Sequence, residues 1–285
     1  MPTTHVALRF RVSQSAEDLL QGFMLTHASV EGVEENSGET LYYIPEAEWN
    51  AELETATGAL CSTSEGITFL GSEEIVNRDW NAEWEQSIEP QQATDELVIT
   101  PSWRMAEALA LNAKHLITID PKMSFGTGHH ETTRLCLHAV EQIDCTQQRV
   151  LDIGTGSGVL AIYALMRSAS HAVAIDTDEW SIENAIENRA LNHFTADQLD
   201  IRKGTLDETV TADEHFGVVL ANIHRNVLIE IAVDIRSHCT PGATVVLSGL
   251  LIYDVDEVRA VYESAGFTFL RDGRENEWAS LTFTA

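Results

Sequence analysis

A glycine-rich turn at the end of an apolar run is the clearest candidate for a ligand-binding element. The stretch VLDIGTGSGVLAI places Asp152 ahead of Gly154, Gly156 and Gly158. A dinucleotide-binding turn has the spacing G-x-G-x-x-G, whose third glycine would fall at Val159. A P-loop ends in Gly-Lys-Ser/Thr, and this turn contains no lysine. The turn therefore predicts a ligand that is not held by its phosphates.

This spacing resembles the cofactor loop of class I S-adenosylmethionine-dependent methyltransferases. The resemblance implies that Gly154 and Gly156 let the backbone approach the amino-acid end of the cofactor, with Asp152 near the cationic methionyl group. Asp176 ends the next apolar run, about twenty residues on, where α/β cofactor domains bind a ribose. One carboxylate can accept both ribose hydroxyls, and Asp178 is then left to cap the following helix. A tight strand-to-helix turn without a ligand is the alternative.

Two later strand ends complete the predicted site. The stretch RKGTLDETV ends the third strand, where such domains hold adenine, and Gly204, Thr205 and Leu206 are the candidates there. The stretch FGVVLANIHRN brings Asn222 to the carboxyl edge of the sheet. Its carbonyl can accept the N–H of a neutral amine, so that the nitrogen lone pair faces the sulfonium methyl. Because a lysine amine has a pKa of about 10.4 in water, the site must favour the neutral form, partly through desolvation.

A polar loop, DPKMSFGTGHHETTRLCL, precedes the glycine turn. It offers glycines for a tight loop over the cofactor and threonines that could cap the next helix. These are Gly126, Gly128, Thr132 and Thr133. His129 and His130 suggest a metal, but Glu131 is the sole further ligand at suitable spacing, so we predict none.

The elements that would position these residues alternate between strands and helices from about residue 91 onward. Apolar strand patterns occur in HLITI, RVLDI, HAVAID, LDIRKG, FGVVLANI and TPGATVVLSGLL, and helical patterns such as RNVLIEIAVDIRSHC separate most of them. This alternation predicts a doubly wound, mostly parallel α/β sheet, which has seven strands in class I methyltransferases. The final stretch GFTFLRDGRENEWASLTFTA predicts a hairpin that adds an antiparallel strand.

The first part of the chain predicts a small α+β domain. Strands in THVALRFRV, ETLYYIP and GITFLG alternate with helices in SAEDLLQGFMLTHA, capped by Ser15, and EAEWNAELETATGAL. This order is typical of a ferredoxin-like fold. Trp80 and Trp84 lie one helical turn apart and predict packing at a domain junction. The predicted domains are a ferredoxin-like domain at 1–74, a connector at 75–90 and a catalytic domain at 91–285.

The charge of the chain is strongly acidic. Its 285 residues carry a formal net charge of −28, and its lysines are Lys114, Lys122 and Lys203. Since a nucleic-acid binder needs a basic surface, we expect no direct binding of DNA or RNA. The acidic surface either keeps the protein dissolved or attracts a basic partner. A lysine-poor acidic surface also suits a salt-rich cytoplasm.

Cysteine usage and hydropathy predict a soluble cytoplasmic protein. The four cysteines form no CxxC pair, and no apolar stretch is long enough for a membrane span or a signal peptide. We therefore expect a reducing compartment and no contact with a membrane.

Together these motifs resemble the PrmA family of methyltransferases, which act on ribosomal protein eleven of the large subunit. The resemblance rests on DWNAEW, VITPSW, DPKMSFGTGHHETTRLCL, VLDIGTGSGVLAI, VAIDTDEWSIENAIENRALN, VVLANI and LSGLL. It implies S-adenosyl-L-methionine as cofactor and methylation of lysine ε-amino groups and of the N-terminal α-amino group. It also implies a monomer whose N-terminal domain grips the substrate while a movable connector brings several amines to one site.

The resemblance also assigns roles to individual residues. The implied cofactor contacts are Thr133, Gly154, Asp176 and Asn222, surrounded by Phe125, Gly126, Thr127 and Gly128. The residue-level reasoning adds Asp152, Gly156 and Leu206 to the cofactor site and makes Asn222 the catalytic residue. One alternative keeps the chemistry but changes the acceptor to another protein or a small amine. A second alternative is an interaction module that binds the cofactor without transferring a methyl group.

Overall fold

The structure is a computed structural model and describes residues 5–13, 16–36, 39–75, 88–120, 122 and 124–285. The chain divides into two units, Met1–Gln86 and Ser87–Ala285. The predicted packing of Trp80 and Trp84 lies outside the described residues. No helix within the described ranges is long and apolar enough to cross a bilayer.

The described part of the N-terminal unit is an antiparallel sheet with accompanying helices. Its elements are β1 (His5–Val12), α1 (Glu17–His27), β2 (Gly32–Asn36), β3 (Glu39–Pro45), α2 (Ala51–Thr63) and β4 (Ile67–Ile75). The strand order is β2-β3-β1-β4, and alternation along β1 buries Val6, Leu8 and Phe10. This topology confirms the predicted ferredoxin-like fold.

The helix starts of this unit depend on capping. Ser15, the predicted N-cap of α1, lies outside the described residues. The helix α2 begins later than its sequence pattern predicts because Asn50 caps it. The Oδ1 atom of Asn50 accepts hydrogen bonds from the backbone N–H groups of Glu52 (2.9 Å) and Leu53 (3.1 Å).

The second unit starts with a small sheet of its own. Its elements are β5 (Gln91–Gln92), β6 (Leu97–Thr100), α3 (Met105–Leu109) and β7 (His115–Thr118), and α4 (Glu131–Glu141) follows. The expectation that HLITI belongs to the main parallel sheet is therefore wrong. The side chain of Asn192 binds the last residue of β7. Its Oδ1 accepts from the Thr118 N–H (2.9 Å), and its Nδ2 donates to the Thr118 carbonyl (2.7 Å).

The main sheet of this unit lies entirely within the described range 124–285. Its strands are β8 (Arg149–Ile153), β9 (His171–Asp176), β10 (Leu199–Lys203), β11 (Phe216–Asn222), β12 (Cys239–Leu251), β13 (Thr268–Glu275) and β14 (Trp278–Thr284). Their order is β10-β9-β8-β11-β12-β14-β13. The strands β8 to β12 are parallel, and β14 is antiparallel to both of its neighbours. The predicted seven-stranded, mostly parallel sheet with a terminal hairpin is confirmed.

Helices cover both faces of this sheet. They are α5 (Val159–Met166), α6 (Glu179–Leu191), α7 (Leu206–Thr209), α8 (Arg225–Glu230), α9 (Ala232–Ser237) and α10 (Val255–Ser264). The helix predicted over RNVLIEIAVDIRSHC is divided into α8 and α9 at Ile231, which has φ −93° and ψ 10°. Successive strand residues enter two separate apolar cores: Val150 lies in one and Leu151 in the other. Burial on both faces explains why the parallel strands are almost continuously apolar.

Each lysine side chain lies beside a carboxylate on the surface. Lys114 pairs with Glu96 at 2.9 Å. The other two pairs are Lys122 with Glu187 and Lys203 with Glu179.

Candidate active site

A cavity of about 720 Å³ lies at the carboxyl edge of the main sheet. The loops after β8, β9, β10 and β11 surround it, at the point where the strand order reverses between β8 and β11. Open α/β sheets bind ligands at such switch points, and the volume suits a small molecule. The wall is formed by residues 125, 153–154, 156, 175–177, 181, 204–207, 222–224, 227, 230–231 and 234.

The structure brings most of the predicted site residues to this wall. They are Phe125, Gly154, Gly156, Asp176, Gly204, Thr205, Leu206 and Asn222. The remaining predicted residues, Gly126, Thr127, Gly128, Thr133 and Asp152, lie outside the cavity wall. Their cofactor contacts stay predictions, and their surroundings are described below.

The glycines of the turn are required by contacts within the protein. Gly154 and Gly156 have φ of +69° and +53°, a region that disfavours residues with a Cβ atom. A Cβ on Gly154 would lie 2.1 Å from the Ile223 side chain, and one on Gly156 would lie 2.5 Å from the Phe125 carbonyl oxygen. From the sequence, these glycines are expected to let the backbone approach the cofactor. The structure shows that close packing against neighbouring loops requires them as well.

Asp176 joins the turn to the end of the next strand. Its Oδ2 accepts from the Gly156 N–H (2.9 Å), and its Oδ1 accepts from the Asp178 N–H (3.0 Å). Each carboxylate oxygen can accept a second hydrogen bond, so both remain able to receive a hydroxyl from the cavity. Asp178 caps α6 as predicted, since its Oδ2 accepts from the Ser181 N–H (2.8 Å).

Asp152 lies behind the turn and is completely buried. Its Oδ2 accepts from the Thr155 hydroxyl (2.7 Å) and from the Ala161 N–H (3.2 Å). Burial raises the pKa of this carboxyl to about 7. The two hydrogen bonds act to lower this pKa, and the nearby charge of Asp176 acts to raise it. Asp152 therefore fixes the turn from the inside.

Three buried oxygen atoms near this edge have no hydrogen-bond partner among the described residues. They are Thr133 Oγ1, Asp152 Oδ1 and Asn222 Oδ1. Their elements adjoin one another, because β11 pairs with β8 and α4 packs against β11. Burial raises the pKa of the Cys136 thiol, and the nearby carboxylate of Asp152 raises it further. Unpartnered buried acceptors are costly, and a ligand with N–H donors and positive charge would satisfy them.

The 124–130 loop lies directly against the glycine turn. The Phe125 carbonyl accepts from the Ser157 N–H (2.8 Å), and the Gly126 carbonyl accepts from the Ser157 hydroxyl (2.7 Å). Gly128 has φ of +89° and packs on Ile99. The Thr127 Oγ1 atom lies 3.3 Å from His129 Nδ1. This arrangement leaves the Phe125 ring half exposed at the cavity.

The helix α4 is capped by a histidine and not by a threonine. His130 Nδ1 accepts from the Thr132 N–H (3.2 Å), so the expectation that Thr132 or Thr133 caps this helix is wrong. Both threonines lie buried in the first turn. The His130 ring also packs edge-on between Phe125 (5.0 Å between centroids) and Trp278 (4.9 Å). His130 therefore positions the loop and the helix that follows it.

Sequence reasoning missed a set of polar residues whose side chains bind the backbone of distant segments. Ser157 was overlooked because it is one of the variable positions of the turn. Asn184, Asn188 and Asn192 were overlooked because polar residues in a helix usually face solvent. Their regular spacing of four residues, which puts all three on one helix face, is the signal that could have identified them.

Comparisons with known proteins identify the family of this chain. The family model described as Ribosomal protein L11 methyltransferase (PrmA) matches residues 20–285. A Ribosomal protein L11 methyltransferase of Chlorobaculum tepidum is 35% identical over 282 residues, covering 97% of this chain and 95% of the relative. One from Bacteroides fragilis is 34% identical over 276 residues, covering 95% of each chain.

A solved structure shares the fold. The ribosomal protein L11 methylase of Lactobacillus delbrueckii subsp. bulgaricus superposes with a TM-score of 0.63 and 27% identity, over 69% of this chain and 98% of that chain. The resemblance seen in the motifs is thereby confirmed. A carboxyl-edge cavity beside a glycine turn, a family match over most of the chain and relatives of similar length lead to one conclusion: this chain belongs to the PrmA family.

Proposed function

We propose that this chain transfers methyl groups from S-adenosylmethionine to amino groups of ribosomal protein L11. Family membership supports the reaction and the acceptor. The single observation that carries the proposal is the unpartnered Oδ1 of Asn222, which is buried at the edge of the cavity. An amine N–H is the kind of donor that this oxygen lacks.

The residues of the cavity fit S-adenosylmethionine, which supplies an electrophilic methyl group on a sulfonium. Asp176 keeps acceptor capacity for the ribose hydroxyls, and Leu206 offers an apolar surface for the adenine. Thr133 Oγ1 and Asp152 Oδ1 are acceptors without partners, as the ammonium of the methionyl part requires. The described residues of the cavity wall include several carboxylates and no lysine or arginine, which suits a cationic ligand.

In this proposal Asn222 aligns the acceptor amine. Its Oδ1 accepts one N–H of the neutral amine and leaves the nitrogen lone pair free to point at the methyl group. The apolar neighbours Ile223 and Phe125 reduce the hydration of the amine. Desolvation disfavours the charged ammonium, so it supports the neutral form that can attack.

The proposed acceptors are lysine ε-amino groups and the N-terminal α-amino group. We assign substrate recognition to residues 1–74 and catalysis to 91–285, linked by the connector at 75–90. The net charge of −28 supports a basic protein as the substrate. The same charge argues against direct nucleic-acid binding, and we propose a monomer that works in the cytoplasm, where its substrate is made.

Incubation with labelled S-adenosylmethionine and purified L11, followed by mass analysis, tests the proposal. Each transferred methyl adds about 14 Da to the acceptor, and peptide mapping identifies the modified amines. A parallel incubation with total ribosomal proteins and small amines tests the alternative acceptors. If L11 gains no mass while another acceptor does, the chemistry stands and the proposed substrate is wrong. If nothing is methylated although the cofactor binds, the protein is an interaction module.

A further inference from the structure

The helix α6 carries Asn184 and Asn188 on one face, and its C-cap residue, Asn192, continues their spacing of four residues. Asn184 and Asn188 are completely buried, and Asn192 is partly buried. Their amides bind backbone groups that lie 31 to 74 residues earlier in the chain, and Asn192 also donates to the Asn188 carbonyl. Asn184 Nδ2 donates to the Asp120 carbonyl (3.1 Å), and its Oδ1 accepts from the Ser124 hydroxyl.

Asn188 differs from the other two because it binds two separate segments of the site. Its Oδ1 accepts from the Asp120 N–H (3.1 Å), at the entry to the 124–130 loop. Its Nδ2 donates to the Ser157 carbonyl (2.9 Å), inside the glycine turn. Asn192, in contrast, binds β7 through Thr118 and reaches neither the 124–130 loop nor the turn in the hydrogen bonds described.

Ser157 completes this connection. Its N–H and its hydroxyl both donate to carbonyls of the 124–130 loop, at Phe125 and Gly126, while its own carbonyl accepts from Asn188. All three polar groups of a completely buried serine are therefore used to join loop and turn. A rigid connection of this kind sets the position of Phe125 on the cavity wall.

We infer that Asn188 is a positioning residue, which fixes the 124–130 loop against the cofactor turn for methyl transfer. The inference rests on the proposed function. Asn188 is absent from the cavity wall, so it acts through Ser157 and Asp120 and not by touching a ligand. A displacement of about 1 Å in an aligned site can cost about a hundredfold in rate. Loss of this amide should therefore affect turnover more than cofactor binding.

The matched pair Asn188→Ala and Asn192→Ala tests this inference. Each variant removes one amide from the same helix face together with its backbone hydrogen bonds, so each should lower the melting temperature. For Asn188→Ala we expect kcat at saturating cofactor to fall about tenfold or more, with the cofactor Kd within about threefold of wild type. For Asn192→Ala we expect kcat within about twofold of wild type. Equal losses of kcat in both variants would show that Asn188 has a structural role only.

The variant Asn188→Asp separates the two hydrogen bonds. Its carboxylate still accepts from Asp120 but opposes the Ser157 carbonyl, whereas the protonated acid can donate to that carbonyl. The activity of Asn188→Asp relative to wild type should therefore rise as the pH is lowered. The activity of Asn192→Asp relative to wild type should not change with pH. A flat ratio for Asn188→Asp as well would contradict the positioning role.

Hydrogen exchange distinguishes this inference from the proposed function. The exchange of residues 124–130 in the full chain, measured with S-adenosylhomocysteine, needs no acceptor. Faster exchange in Asn188→Ala than in Asn192→Ala supports the positioning role even if L11 proves not to be the acceptor. Equal exchange in the two variants overturns it.

Discussion

The backbone N–H of Gly156 donates to Oδ2 of Asp176 across 2.9 Å, so the glycine turn and the acid of the next strand form one unit. A shift of the turn would move Asp176, the proposed acceptor of the ribose hydroxyls, and a shift of Asp176 would move the turn. Two of the residues that sequence reasoning assigned separately therefore act together. This coupling leads to the first prediction.

Asp176→Asn should weaken binding of S-adenosylmethionine about tenfold or more, since a hydrogen bond to a charged group contributes roughly 1.5–3 kcal/mol. Isothermal titration calorimetry measures the Kd. Asp178→Ala is the control, because it removes the cap of α6 and should cost about 1 kcal/mol of stability with little change in Kd. Equal Kd values for Asp176→Asn and wild type would remove Asp176 from the cofactor site.

Gly156→Ala should displace the 124–130 loop, because the new Cβ would lie 2.5 Å from the Phe125 carbonyl oxygen. Gly242→Ala is the matched control. Gly242 also has a left-handed φ, +79°, but nothing lies within 4 Å of its Cβ position. The control should lose only about 1–2 kcal/mol of stability, which is the cost of a residue with a Cβ atom in the left-handed conformation. Thermal unfolding and kcat should therefore show a clearly larger loss for Gly156→Ala, and equal losses would argue against the loop contact.

Asp152 should make stability depend on pH near neutrality. Its pKa is about 7 in the folded protein, against about 3.9 for an ordinary aspartate, so the folded state holds a proton that the unfolded chain has lost. The stability that this group contributes is therefore greatest below about pH 4 and is lost as the pH rises through about 7. Urea unfolding at several pH values should show a flatter profile for Asp152→Asn than for wild type. Parallel profiles would indicate that Asp152 is ionised throughout.

Glu214 should have the opposite dependence. It forms a paired contact with Arg202, with N–O distances of 2.8 and 3.0 Å, which is the main cause that lowers its pKa to about 2. This stability is present above the ordinary pKa of about 4.3 and disappears as the pH falls through about 2. Glu214→Gln should cost roughly 2 kcal/mol at pH 7 and much less at pH 3. A cost that does not change between these pH values would exclude the charge pair as its source.

The carboxyl-edge residues could be predicted because each one ends an apolar strand. Asp176 and Asn222 were predicted from that position and Gly154 from the spacing of the glycines, and the structure brings all three to one cavity. The position of Asp152 could not be predicted in the same way. An acid at the end of a strand can point toward the cavity or into the core, and only the packing of α5 over it decides between them.

The asparagine face of α6 could not be read from the sequence, because its partners are far away along the chain. The backbone groups that Asn184 and Asn192 bind lie 64 and 74 residues earlier. Asn192 binds the end of β7, the HLITI strand, which lies in the small sheet and not in the main sheet. Local patterns identify elements, but they do not show which edge of a strand will be paired.

The ion pairs of the three lysines affect whether the enzyme can methylate itself. A protein proposed to methylate lysine has three of them, and each ammonium is engaged by a carboxylate of the same chain. Glu96, Glu187 and Glu179 thus compete with any active site for these side chains. Automethylation of a lysine therefore first requires its ion pair to separate, which costs about 0–1 kcal/mol at the surface.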